Sequence, residues 1–172
     1  MDEVVHTERL IIVAGTPQSS RAAAHKDHQT LSDLLRATVP AAFPPPLMED
    51  AMEYLAHAVE QNPQDRAWWN WFVVLKSVET GNTLIGCMGF KGKPTPDGSV
   101  EVGYSILDEF QGHGYATEGI MALIKWALQN GATSVAAETY PEDTASLRVM
   151  EKCGMKFVGP GSEPNTIRFQ KS

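Results

Sequence analysis

The sequence predicts one α/β (α+β) domain spanning residues 1–172, a mixed, mostly antiparallel sheet of six to seven strands flanked by four helices. Three observations predict it. The 172 residues are 42% apolar and 20% charged, the size and composition of one soluble globular domain with its own core. Aromatic and β-branched runs separated by turns fill the middle of the chain, as in an antiparallel meander. A strongly amphipathic segment then separates two apolar strands, the pattern of a single right-handed parallel crossover.

Val4-Val5 and Leu10 to Ala14 read as a first strand, ended by Gly15-Thr16-Pro17. From Ser20 to Val39 the spacing of Leu31, Leu34, Leu35 and Val39 predicts one helix, stopped by Pro40. After the stiff Phe43-Pro44-Pro45-Pro46 link, Met48, Met52, Leu55 and Val59 share one face of a second helix, closed at Asn62-Pro63. Trp69–Val78, Thr83–Phe90 and Ser99–Leu107 are the next strands. In the last of these, Val100, Val102, Tyr104 and Ile106 alternate with Glu101, Gly103 and Ser105. A third helix, Tyr115–Asn130, buries Ile120, Leu123, Ile124, Ala127 and Leu128 and is capped by Gly131. Thr133–Thr139 follows as a strand parallel to Ser99–Leu107. A short helix then runs from Asp143, its N-cap, to Lys152 and stops at Gly154. Lys156–Val158 and Thr166–Gln170 complete the sheet.

Several function classes are disfavoured. Cys87 and Cys153 make no disulfide framework, lack zinc-site spacing, and sit in apolar company as small buried hydrophobes. His25, His28 and His57 have no ligand spacing, so no metal is expected. No apolar run approaches the ~20 residues of a membrane helix, and Met1 to Arg9 is polar without a signal region. The expected location is cytoplasmic. A net charge of −7 argues against nucleic-acid partners and is compatible with a cationic, amine-bearing acceptor. Trp68, Trp69 and Trp71 could line an acceptor pocket with Phe43, or belong to the core, as at least one of Trp69 and Trp71 should.

The informative segment is Asp108-Glu109-Phe110-Gln111-Gly112-His113-Gly114, between a strand and a helix. Such a turn leaves backbone N–H groups unpaired at the positive end of the helix dipole, where a phosphate or diphosphate binds without Lys or Arg. Thr117 stands where a Rossmann fingerprint needs its third glycine, and no Gly-Lys-Ser/Thr of a P-loop is present. What remains is Gln-x-x-Gly-x-Ala, from Gln111 to Ala116.

With that motif the sequence resembles the GNAT superfamily of N-acetyltransferases, and within it the ribosomal-protein N-terminal (alanine/serine) acetyltransferase branch. Gly103-Tyr104 before the turn, Gly114-Tyr115-Ala116-Thr117-Glu118 after it, Ser146 on the last helix with Lys152-Cys153-Gly154 beyond, and the opening Thr7-Glu8-Arg9-Leu10 carry the resemblance. It implies a GNAT-like sheet splayed between the fourth and fifth strands. It also implies acetyl-CoA (coenzyme A) as co-substrate, and acetyl transfer to a primary amine, a protein N-terminus or a small molecule, in a ternary complex. Cofactor contacts would come from Tyr104, Ser105 and Ile106 along the splayed strand, from Gln111, Gly112, His113, Gly114, Tyr115, Ala116 and Thr117 at the turn, and from Asp143 and Ser146. Within that set Ile106 N–H would serve the thioester carbonyl.

Glu101 is the candidate general base, unless it is a solvated strand glutamate. Ser146 is the candidate contact to the sulfur, unless its hydroxyl bonds back to the helix cap. Two departures stand out. Asp143 replaces the usual Asn, and a carboxylate cannot donate as an amide does. Met150 stands where many relatives have an acidic Tyr. These departures motivate an alternative, a catalytically weak coenzyme A-binding sensor on the same fold. A monomer and a homodimer are both compatible with the sequence.

Overall fold

The computed structural model describes residues 3–172. The chain opens with a hairpin, β1 (Val4–His6) and β2 (Leu10–Ala14), paired Val4 to Val13. The expected single strand is therefore two. Thr7 divides it: its Oγ1 accepts the Leu10 N–H at 3.0 Å, and its own N–H donates to Leu10 O.

The expected Ser20–Val39 helix is also two, α1 (Pro17–Ala24) and α2 (His28–Leu35). Thr16 and Ser19 form a capping box at the start of α1. Lys26 then takes a left-handed conformation, and the Asp27 side chain accepts the Thr30 N–H as a fresh N-cap. The apolar spacing from Leu31 belongs to α2, which ends at Leu35 short of Val39, and does not reach back across the break into α1. The helix α3 (Glu49–Gln61) buries Met52 and Val59 of the expected face together with Ala56 and Ala58, while Leu55 is half-buried and Met48 precedes the helix.

The remaining elements are β3 (Asn70–Leu75), β4 (Thr83–Phe90), β5 (Ser99–Ile106), α4 (Tyr115–Gln129), β6 (Ser134–Thr139), α5 (Thr144–Lys152), β7 (Lys156–Pro160) and β8 (Ile167–Lys171). The sheet order is β1-β2-β3-β4-β5-β6-β8-β7, with β5 and β6 its parallel pair.

Alternation along the strands builds two cores. Trp71, Val73, Val100, Val102 and Ile106 pack against Ile120, Leu123, Ile124 and Ala127 of α4. Phe72, Val74, Leu84 and Cys87 face the other way, against α1, α2, α3 and Phe43. Trp126 centres an aromatic cluster, with ring centroids 4.8 Å from Trp68, 5.1 Å from Trp71 and 5.8 Å from Phe90. Trp71 and Phe43 thus lie on opposite faces of the sheet and share no pocket. Gly119 lets α4 lie close to the sheet, since a Cβ there would sit 2.4 Å from Met88 Cε. Both cysteines are free and buried, and burial pushes the Cys153 thiol up to about 11 and the Cys87 thiol higher still.

The functional consequence lies between β5 and β6. They pair only at Ser99–Ser134, Val100–Val135 and Glu101–Ala136. Beyond Glu101, β5 continues with β4 and β6 continues with β8, so the sheet opens into a V. Among the described residues, because of the extra hairpin strand, the split falls between the fifth and sixth of eight strands rather than the fourth and fifth of six or seven, and five α-helices rather than four flank the sheet.

Truncating Trp126 to Ala removes the centre of the aromatic cluster. It should destabilise the protein by about 3–5 kcal/mol, measured by urea unfolding.

Candidate functional site

The open end of β5 leads into the glycine turn. Gln111 shapes it: Nε2 donates to Ile106 O at 2.9 Å and to Asp108 Oδ1 at 3.2 Å, and the Gln111 N–H donates to Asp108 O. Gln111 therefore ties the turn to the strand, and its N–H is not free for a ligand. Gly112 and Gly114 both have positive φ, 77° and 81°, and Gly114 is the N-cap of α4. Among the described residues, the backbone N–H groups from Gly112 to Thr117 donate to no protein acceptor, and Glu118 N–H, bonded to Gly114 O at 3.0 Å, is the first to do so. The turn thus presents free donors at the positive end of a four-turn helix, the condition for holding an anion. His113 is exposed and its ring stacks on Tyr115, with centroids 5.6 Å apart.

The free edge of β5 follows from strand alternation. Glu101 O accepts Lys91 N–H and Leu107 N–H donates to Ile85 O, so the odd-numbered residues bond to β4. The N–H and C=O groups of Val102, Tyr104 and Ile106 consequently point into the V. Ser105 is turned toward β4, so its backbone does not serve the split as the sequence reading expected. Ile106 O is taken by Gln111, which leaves its N–H.

Across the V stands α5. Asp143 caps it: Oδ1 accepts the Ser146 N–H at 3.0 Å, and Oδ2 accepts the Ser146 hydroxyl at 2.7 Å and the Thr139 hydroxyl at 3.2 Å. Desolvation pushes the Asp143 carboxyl up, but the hydrogen bonds from Ser146, Thr139 and Ala145 outweigh it and hold it below the usual carboxylate range. Ser146 Oγ in turn lies 3.3 Å from the Tyr104 hydroxyl, which donates to it. Burial raises the Tyr104 phenol above its ordinary value, against the opposing effect of Ser146. The hydroxyl proton of Ser146 is therefore directed at Asp143. Met150 is buried in the core, 3% exposed, and Tyr140 is exposed.

Glu101 sits at the apex of the V, on the face opposite α4. Its carboxylate pairs with Lys91 and lies 3.5 Å from Arg168 Nη1, which also bonds Glu138 at 2.7 Å. It is no freely solvated strand glutamate: its side chain is 16% exposed.

A sequence model described as Acetyltransferase (GNAT) domain matches residues 9–156. The chain belongs to the GNAT acetyltransferase family. It is similar to an uncharacterized N-acetyltransferase, YjdG, of Bacillus subtilis (strain 168), at 27% identity over 134 residues, 77% of each chain. Its fold matches a ribosomal-protein-S5-alanine acetyltransferase from Vibrio fischeri, with a TM-score of 0.66 and 18% identity over 99% of this chain and 96% of that one. It also matches a microcin self-immunity acetyltransferase, MccE, solved with acetyl-CoA and AMP, with a TM-score of 0.66 and 15% identity over 96% of this chain and 93% of that one. Both likenesses, at under 25% identity, are likenesses of fold.

Sequence reasoning missed several partners of this acetyltransferase site. Arg9 and Glu118, 109 residues apart, are joined directly. Arg168 and Lys91 hold Glu101, and the Tyr104 side chain reaches Ser146. No local pattern announces such long-range pairs. Among the described residues, no group of three or more His, Cys, Asp or Glu is placed to hold a metal ion, and no helix is long and apolar enough to cross a membrane.

At Gly114 the conformation, rather than crowding, forbids a side chain: a Cβ there would only touch Arg9 Nη2 at 3.5 Å. Gly114→Val should cost at least about 1–2 kcal/mol of stability through the left-handed backbone, and Gly114→Asn less, read from urea midpoints. Asp143→Ala should cost about 1 kcal/mol at pH 7. The Asp143 carboxyl is depressed on folding, so its contribution is fully present above the unfolded value of about 3.9 and is lost as pH falls through the folded one. The gap between wild type and Asp143→Ala should therefore close in acid, measured as unfolding free energy against pH.

Proposed function

We propose that the protein is a cytoplasmic, acetyl-CoA-dependent N-acetyltransferase, one domain over residues 1–172 that moves an acetyl group from the thioester to a primary amine by direct transfer in a ternary complex. One observation carries the reading: a half-open sheet whose unpaired strand edge is followed, after one short bonded turn, by a run of unpaired amides at a helix start. A long, thin ligand with an extended polar arm and a diphosphate fits that succession. The free N–H groups from Gly112 to Thr117 hold the diphosphate. The edges of Tyr104 and Ile106 pair with the amide-bearing arm. The Ile106 N–H, left without a protein acceptor, is the donor for the thioester carbonyl as charge develops on it.

In the reaction the neutral amine nitrogen attacks the carbonyl carbon. A C–N bond forms, the C–S bond breaks, and the sulfur leaves with the bonding pair and is protonated. Glu101 takes the amine's proton, directly or through water, from its place where the strands part. Ser146 faces the leaving sulfur. The acceptor is a protein N-terminus or a small amine, and the fold-level likeness to a ribosomal-protein-S5-alanine acetyltransferase supports including N-terminal peptides among the candidates.

A second reading, a catalytically weak coenzyme A-binding sensor, is favoured by the engaged Ser146 proton and by Met150 buried where relatives carry an acid. One experiment separates them. Purified protein is incubated with acetyl-CoA and a panel of N-terminal peptides and amines while free thiol is followed. Acceptor-dependent thiol release supports the transferase, and binding without release across the panel supports the sensor. Glu101→Gln should lower kcat by about 10²–10⁴-fold with little change in the KM for acetyl-CoA. Full activity of that variant at every pH would remove Glu101 as the base.

A further inference from the structure

Glu118 presents a problem for an anion site. It lies in the first turn of α4, where its carboxylate satisfies the helix dipole that a diphosphate would use. It is held there firmly: Oε1 accepts the Thr7 hydroxyl at 2.6 Å and the Arg9 N–H at 2.8 Å, and Oε2 accepts Arg9 Nε at 2.7 Å. Desolvation pushes this carboxyl up, but the Thr7 and Arg9 hydrogen bonds together hold it below its ordinary range, so it is ionised at neutral pH.

Arg9 answers that charge and does more. Its Nη1 donates to the His113 carbonyl at 2.8 Å. In a trans peptide the C=O of one residue and the N–H of the next point in opposite directions. Drawing the His113 oxygen toward Arg9 therefore aims the Gly114 N–H away from Arg9. That peptide is flanked by His113 and by Gly114, a glycine at φ 81°, so within the turn only the His113 side chain, stacked on Tyr115 and with Nδ1 3.3 Å from Phe110 O, resists a flip. The guanidinium also lies 4.6 Å from the centroid of Tyr115, whose ring stacks on His113. The loop bearing Arg9 is itself anchored: Lys76 Nζ donates to Thr7 O, and Lys76 N–H donates to Arg9 O at 2.9 Å.

We propose that Arg9 is a positioning residue for the anion-binding turn, cancelling the Glu118 carboxylate and fixing the His113–Gly114 peptide so that its N–H faces the ligand. The inference rests on the turn being the diphosphate cradle of coenzyme A. It gives a role to the Thr7-Glu8-Arg9 segment, which has no part in the chemistry.

The test is a double-mutant cycle with coenzyme A binding measured by calorimetry. Arg9→Met should weaken binding about tenfold, equivalent to about 1.4 kcal/mol, and Glu118→Gln in that background should restore part of it, the part owed to the uncancelled carboxylate, while the lost grip on the His113 carbonyl remains. Glu118→Gln alone should bind at least as well as wild type. A merely structural ion pair predicts the opposite, a double variant no tighter than Arg9→Met. Arg9→Lys, the milder variant should Arg9→Met fail to fold, keeps the charge without the two-pronged grip and should fall between wild type and Arg9→Met. Turnover with S-acetylpantetheine, which lacks the diphosphate, should be unchanged in all four variants while KM for acetyl-CoA rises in Arg9→Met. Equal coenzyme A affinity in wild type and Arg9→Met, absence of rescue, or an equal loss with S-acetylpantetheine would each overturn the proposal. Failure of the wild type to bind coenzyme A would overturn the reading of the turn itself.

Discussion

The parting of β5 from β6 after Glu101 is the constraint on which the rest depends. A strand in the middle of a sheet normally has both edges paired. Here β5 keeps its ladder to β4 and loses the other from Val102 to Ile106. Backbone groups without partners are costly when dry, so the surrounding structure must leave them wet or supply a ligand. The V does this by diverging rather than by inserting another strand. The turn at its mouth extends the same logic, because the first amides of a helix also lack partners. The site is thus two runs of unsatisfied backbone, the inner edge of β5 and the amides from Gly112 to Thr117, joined by the hydrogen-bonded segment Leu107–Gln111.

That use of backbone explains how a protein of net charge −7 can be suited to a polyanion. The attraction comes from oriented dipoles at one point, not from the average charge of the surface. It also explains why nearby carboxylates are so closely managed. Glu118 and Glu101 each face at least one cation, and Asp143 is surrounded by hydroxyl and amide donors.

Local features of the sequence were readable and distant ones were not. The turn, the capping Asp143, the β5 alternation and the parallel crossover each depend on residues close together in the chain, and the structure has them where the pattern places them. The first strand and first long helix each divide at a short polar stretch, His6–Arg9 in one case and His25–Asp27 in the other, where a local hydrogen bond, Leu10 to Thr7 or Thr30 to Asp27, ends one element and starts the next. Within the site, residue types were legible but their partners were not. The bond from the Ser146 hydroxyl back to its cap Asp143 is one of the two local alternatives the sequence offers, but nothing near Ser146 says that it receives Tyr104, and nothing near Glu101 announces Arg168. The directions of the Gln111 and Ser105 backbone groups depended on the register with β4 and the turn closing on itself.

The outer margins of the sheet make a contrast with its inner opening. At one side β1 is only three residues long, and at the other β7 is bulged between Phe157 and Gly159 and ends in Pro160. Short, kinked margins discourage a neighbouring molecule from docking there edge to edge. The inner opening has no such defect, yet it lies between two diverging walls, and the Tyr104–Ser146 contact joins those walls on the helical side. A strand laid along β5 there would find β6 diverging from it on the other side. The geometry therefore turns the adhesive backbone inward, into a cleft within the sheet, and leaves blunted strands at the margins where two molecules could meet edge to edge.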